Sequence, residues 1–112
     1  MISVLLRRSK NGVLLGCRAE GHAGYAAGGS DIVCSAVTVL LRTVLLIAES
    51  LDGASVKSDA GKRGYLDFEI HSDGCALETE RRLVYAGDFL ETGIKSVSEE
   101  FPDYVSFVNK TV

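Results

Sequence analysis

One histidine and one cysteine flank a glycine-rich segment, "GHAGYAAGGSDIVC" at residues 21–34. A neutral His22 imidazole near the Cys34 thiol could take its proton, and the resulting ion pair would be an activated nucleophile. The ordinary alternatives are a solvated loop histidine and a small buried thiol on an apolar helix. The sequence therefore predicts either a catalytic thiol–imidazole pair or two residues without a catalytic role beside a flexible loop.

The position of a helix decides how reactive the thiol could be. Asp31 is a favoured N-cap residue and an apolar run follows it directly, so we predict a helix over residues 32–50 with Cys34 in its first turn. There, unpaired amides and the helix dipole favour the thiolate, which is the nucleophilic form. The same amides, including that of Cys34, could hold a developing oxyanion. The Asp31 carboxylate opposes the thiolate unless it points at the amides or toward His22.

The loop glycines and one threonine complete the predicted site. Glycine makes the backbone of the loop easy to rearrange, so the loop could close over a bound peptide and exclude water. Thr38 lies one helical turn after Cys34, where its hydroxyl could reach the site or bond back to the helix backbone. The residues that we assign to substrate binding are Gly21, Gly24, Tyr25 and Thr38.

The remaining cysteines and the second histidine have other predicted roles. Cys17 falls on the apolar phase of a strand and is expected in the core, whereas Cys75 is expected to be a structural thiol at the start of a helix. His71 falls on the outward phase of a strand and should be solvated. No C-x-x-C or H-x-x-x-H spacing is present, and the glycine-rich segment lacks the phosphate-loop lysine. We therefore predict no metal and no cofactor.

Composition limits the class of protein. The chain has 112 residues, 46% of them hydrophobic, which is enough for one domain over residues 1–112. The net charge is −3 without a basic block, so no nucleic-acid partner is expected. Three cysteines, without a secretory signal, favour the cytoplasm. The apolar run Ala36–Ala48 contains Arg42 and is too short to span a bilayer, so we predict a helix covered on two sides and no membrane partner.

Hydrophobic periodicity predicts the remaining elements. Leu66, Phe68 and Ile70 alternate with polar residues as in a half-buried strand, and an apolar stripe along Leu83–Phe101 indicates a second helix. The predicted strands cover residues 2–8, 13–20, 56–60, 65–71 and 104–109, and the predicted helices cover 32–50 and 75–101. The order ββαββαβ, dominated by hairpins, predicts an α+β fold: a single two-layer domain with two helices on a mostly antiparallel sheet.

Two motifs resemble those of a known family. "GHAGYA" at residues 21–26 and "DIVCSAV" at residues 31–37 resemble the ribosomal-processing cysteine proteases, the Prp family of bacteria. The resemblance extends over most of the chain, because length and element order also fit. It implies a small α+β cysteine endopeptidase that removes an N-terminal extension from a large-subunit ribosomal protein. It also implies Cys34 as the nucleophile, His22 as the general base and Asp31 as an orienting or capping residue. Members of the family tend to form homodimers.

The chain departs from the family pattern at two places, and two rival functions remain. Thr38 stands where members often have serine, which keeps the hydroxyl, and the loop centre "AAGGS" lacks the charged residues common there. One rival is a non-catalytic module that binds a peptide or ribosomal protein with the loop as a clamp. The other is a redox sensor in which Cys34 pairs with Cys17 or Cys75.

Overall fold

The computed structural model describes the backbone of residues 1–21 and 28–112 and the side chains of residues 1–21 and 32–112. Within these ranges the chain forms five strands and two helices in the predicted order, which confirms the α+β class. The elements are β1 Ile2–Arg8, β2 Leu14–Gly21, α1 Gly28–Glu49, β3 Ser55–Asp59, β4 Tyr65–His71, α2 Leu77–Glu100 and β5 Val105–Thr111.

The strands form one sheet in the order β3-β4-β2-β1-β5. Three of its neighbouring pairs are antiparallel and β1–β5 is parallel, as expected for a mostly antiparallel sheet. Helix α2 packs over β5, β1 and β2, and α1 packs beside it and against β3. The buried side chains of the strands, such as Val4, Leu6 and Phe68, alternate with more exposed ones and form the core with the helices.

Helix α1 is buried along one face only, which corrects the prediction of a helix covered on two sides. Its buried side chains recur at three- and four-residue steps: Val33, Val37, Leu41, Val44 and Ala48. Ile32, Val39 and Leu46 on the outward face are each more than 60% exposed. The physical reason is that the five-stranded sheet accommodates both helices side by side, so each keeps an outward face.

The length of the apolar segment on this helix also differs from the prediction. The apolar helical segment Ile32–Glu49 is long and apolar enough to cross a membrane by length and composition, unlike the shorter run judged from the sequence. A third of that segment is buried inside the protein. A core helix of a soluble protein meets the same criterion, and the buried stripe identifies α1 as part of the core.

The strands and helices begin and end at two opposite ends of the sheet, which we call the near end and the far end. At the near end, β1 begins at Ile2, β2 ends at Gly21 and α1 begins at Gly28. At the far end, residues 9–13 connect β1 to β2, and α1 ends at Glu49. Gly21 and the first residues of α1, including Cys34, therefore lie at the near end.

Candidate functional site

Cys34 lies in the second turn of α1, because the helix begins at Gly28 rather than at residue 32. The first four amides of a helix have no acceptor within it, and the amide of the seventh residue is not among them. The prediction that the Cys34 amide is free to hold an oxyanion is therefore wrong. The free amides belong to residues 28–31. Because Cα–Cβ bonds tilt toward the helix N-terminus, the Cys34 side chain still points toward those amides.

Asp31 is the fourth residue of α1, so the prediction that it is the N-cap is also wrong. An acidic residue is favourable throughout the first turn, because the positive end of the helix dipole extends over that turn. An aspartate before an apolar run therefore fits either position. The Asp31 side chain lies outside the described part of the structure.

The half-buried Cys34 side chain lies on the flank of α1 that faces away from α2. At 3.6 residues per turn, Leu40 lies about 120° around the helix from Cys34, with the buried Val37 between them. Leu40 faces α2, since a Cβ at Gly93 would lie 3.0 Å from Leu40 Cδ2. Thr38 shares the Cys34 flank and is exposed. The thiol and the threonine therefore face the β3 side of the molecule.

Gly21 ends β2 in a conformation that only glycine adopts easily. Its φ is +106°, and a Cβ there would collide with the carbonyl oxygen of Met1. Its N–H donates to the Gly64 carbonyl oxygen at 2.8 Å. The sequence alone does not reveal this neighbour, because Gly64 belongs to the β3–β4 connection and only the pairing of β2 with β4 brings it close.

Three predicted site residues, His22, Gly24 and Tyr25, lie outside the described residues. The pairing of His22 with Cys34 therefore stays a prediction. Of the site residues assigned from the sequence, the structure describes the backbone of Gly21, Asp31, Cys34 and Thr38. Among the described residues there is no group of three His, Cys, Asp or Glu side chains that could hold a metal ion.

The positions of the other two cysteines bear on the redox alternative. Cys17 is fully buried as predicted, and burial raises the pKa of its thiol to about 12. Cys75 is half-buried beside Gly53, just beyond the end of α1. Cys34 lies about 22 Å from that end at 1.5 Å per residue, well beyond disulfide reach. The second histidine, His71, is exposed as predicted.

Comparisons with known proteins identify the family. The sequence profile of the family described as cysteine protease Prp matches residues 1–106. The chain is 26% identical over 106 residues to the ribosomal processing cysteine protease Prp of Bacillus subtilis (strain 168), covering 92% of each chain.

Solved structures share the fold. A crystal structure from Streptococcus mutans matches with a TM-score of 0.78 and 26% identity, covering 100% of this chain and 96% of that one. The essential ribosomal processing protease Prp of Staphylococcus aureus, in complex with a substrate peptide, matches with a TM-score of 0.76 and 15% identity, covering 98% and 100%. With almost its whole length matched by the family profile, the chain belongs to the Prp family of cysteine proteases.

Proposed function

We propose that this chain is an endopeptidase that removes the N-terminal extension of a large-subunit ribosomal protein, with Cys34 and His22 as a catalytic dyad. The Bacillus subtilis relative is named as a ribosomal processing protease, which supports this substrate class. The observation on which the proposal depends most is the position of Cys34: half-buried in the second turn of α1, on the flank of the helix that faces away from α2.

The proposed reaction proceeds through a thioester. His22 takes the Cys34 thiol proton, and the sulfur attacks the carbonyl carbon of the scissile peptide bond. The tetrahedral intermediate collapses, the C–N bond breaks, and protonated His22 gives its proton to the leaving amine. Water then attacks the thioester while His22 accepts a proton. The C–S bond breaks, the carboxylic acid product leaves, and the proton returns to the Cys34 sulfur.

The backbone of the first turn of α1 can stabilise the oxyanion. The amides of residues 28–31 have no helical acceptor, and a preorganised amide donor is worth on the order of 100-fold or more in rate. The side chain of the seventh helical residue is tilted toward that turn. We therefore propose these amides as the hydrogen-bond donors to the oxyanion. The Cys34 amide is not one of the donors.

The substrate contacts that we propose involve Gly21, Gly24, Tyr25 and Thr38. The exposed position of Thr38 one turn after Cys34 supports a contact between its hydroxyl and the peptide. The Gly21 amide already donates to Gly64, so Gly21 contributes through its backbone conformation and its carbonyl group. We propose Asp31 as the residue that orients the dyad.

We further propose a cytoplasmic homodimer in which a second copy covers the outward face of α1. Ile32, Val39 and Leu46 are exposed at seven-residue intervals, the spacing by which helices pack in pairs. The α2 stripe around Leu83 and Leu90 is fully buried inside the chain and is not available. Three free cysteines support a reducing compartment. Sedimentation of Val39→Glu should give a monomer where the wild type and an exposed control, Lys110→Glu, give dimers.

Mass spectrometry of a substrate precursor protein tests the reaction. We expect wild type to release the N-terminal extension and Cys34→Ala to release none, while the matched thiol control Cys75→Ala cleaves at the wild-type rate. His22→Ala should lower the rate by about three orders of magnitude or more, because the thiol loses its base. Equal cleavage by wild type and Cys34→Ala would disprove the proposal.

A further inference from the structure

One edge of the sheet lies on the same side of the molecule as Cys34. Strand β3 is an edge strand that pairs with β4 along five continuous residue pairs, without a bulge. Helix α1 packs against β3, and the Cys34 flank of that helix is the one turned away from α2. An edge strand presents a row of unpaired N–H and C=O groups, which is a template for another strand. The nucleophile flank and a strand template therefore face the same side.

The helix side of this strand is covered in its first half only. Val56 and Ser58 point to the helix side of the sheet, because they pair directly with the core residues Ile70 and Phe68. Val56 is half-buried, whereas Ser58 is exposed. Strand β3 runs from the far end to the near end, since its last residue, Asp59, pairs with Asp67 at the beginning of β4. The uncovered half is therefore the half at the near end, where α1 begins.

The opposite edge of the sheet does not lie on the same side of the molecule as Cys34. Strand β5 forms that edge and packs against α2. Helix α2 and the α2-facing flank of α1, marked by Leu40, separate β5 from the flank with Cys34. A peptide on β5 would lie on the wrong side of α2 to reach the thiol.

We propose that the substrate docks as an extended segment on the outer edge of β3 and passes the Cys34 flank of α1, adding a sixth strand to the sheet. Main-chain hydrogen bonds would supply affinity, as in other complexes where a peptide extends a sheet. Every second substrate side chain would point to the helix side, beside Ser58, and contribute to specificity. This inference rests on the proposed function, because it takes Cys34 as the nucleophile.

Backbone methylation of a peptide substrate tests the docking mode without altering the protein. In a bound strand, alternate amides face the edge, so N-methylation at every second position on one side of the scissile bond should raise KM at least tenfold. Methylation at the positions between them should change KM less than threefold. An effect without this alternation would overturn the inference, provided that wild type cleaves the unmodified peptide and Cys34→Ala does not. If Cys34→Ala also cleaves, the proposed function itself fails.

A pair of neighbouring variants tests the location. Ser58→Tyr fills the opening on the helix side, and Lys57→Tyr places the same side chain on the other face of the same exposed strand. We expect Ser58→Tyr to raise KM about tenfold with little change in kcat, and Lys57→Tyr to leave both near wild type. Equal KM values for the two variants, with matched melting temperatures, would exclude docking at β3.

Discussion

The two ends of the sheet are held in different ways. At the far end the buried Arg8 guanidinium donates to the carbonyl oxygens of Gly12 at 2.9 Å and Val84 at 3.0 Å, and to Asp88 Oδ1 at 2.7 Å. At the near end, main-chain bonds join described residues of neighbouring elements: the Gly21 amide donates to the Gly64 carbonyl oxygen and the Ile2 amide to the Tyr104 carbonyl oxygen, each at 2.8 Å. A buried charge thus holds the far end, whereas a main-chain bond at a positive-φ glycine holds the end next to the proposed nucleophile, Cys34.

Glycine is required for a different physical reason at each end of the sheet. At Gly87 a Cβ would lie 2.8 Å from Arg8 Cζ, so the missing side chain admits the guanidinium against α2. At Gly21 the backbone itself requires glycine, through its positive φ and its contact with Met1. Substitutions at the far end should therefore reduce stability, and substitutions at the near end should reduce activity.

The largest expected effect on activity is at the near end. Gly21→Ala must change a backbone whose next residue is His22, and a displacement of about 1 Å in a catalytic group can cost on the order of 100-fold. We therefore expect kcat/KM in a peptide cleavage assay to fall about 100-fold. The control is Gly74→Ala at the far end, which has a similar φ of +77° but open space around it. Equal activity losses in the two variants would contradict the comparison.

The next effect is on stability at the far end. Arg8→Met removes a buried guanidinium and leaves the carbonyl groups of Gly12 and Val84 without this donor. We expect the free energy of unfolding to fall by about 3 kcal/mol, as measured by urea denaturation. The kcat/KM of the folded enzyme should stay within about twofold of wild type. A large loss of kcat/KM without loss of stability would show that the far end takes part in catalysis.

A third effect appears only in alkali and concerns the core between the two ends. Burial raises the pKa of the Cys17 thiol to about 12 in the folded protein, above the ordinary value of about 9. The unfolded chain therefore loses this proton first, and stability falls as the pH rises from about 9 toward 12, by up to about 4 kcal/mol. Cys17→Ala should flatten this decline in denaturation curves recorded across that range. An unchanged slope would show that burial does not raise the pKa of the Cys17 thiol.

The smallest expected effect lies on the exposed surface of α2. Arg82 donates to Glu78 at 3.0 Å, and both side chains are more than 60% exposed. An exposed i,i+4 pair contributes at most about 0.5 kcal/mol. Arg82→Ala should therefore shift the urea midpoint far less than Arg8→Met does. A comparable loss would mean that burial does not explain the strength of the far-end contacts.

Local patterns were sufficient to predict most of the fold. The alternation of Leu66, Phe68 and Ile70 gave β4 its correct limits, and the stripe around Leu83 placed α2 within two residues of its ends. These signals depend on periodicity within one element, which the sequence displays directly. The start of α1 was misplaced by four residues, because Asp31 is equally suited to the cap and to the first turn.

Non-local features of the site could not be predicted. The contact between Gly21 and Gly64 depends on β2 pairing with β4, and the opening beside Ser58 depends on how far α1 extends across the sheet. Neither depends on residue types within one segment. The family was predictable because Cys34 and His22 belong to short motifs, whereas the roles and mutual geometry of the two residues stay predictions.

Site-resolved alkylation tests the claim that Cys34 is an activated nucleophile most directly. Wild type and His22→Ala would be treated with iodoacetamide from about pH 5 to 9, and peptide mass spectrometry would compare Cys34 with Cys75 as a control in the same molecule. We expect Cys34 in wild type to react rapidly well below about pH 8. Cys75 should react slowly there, and His22→Ala should remove the advantage of Cys34. Identical pH profiles for the two thiols in wild type would contradict the account.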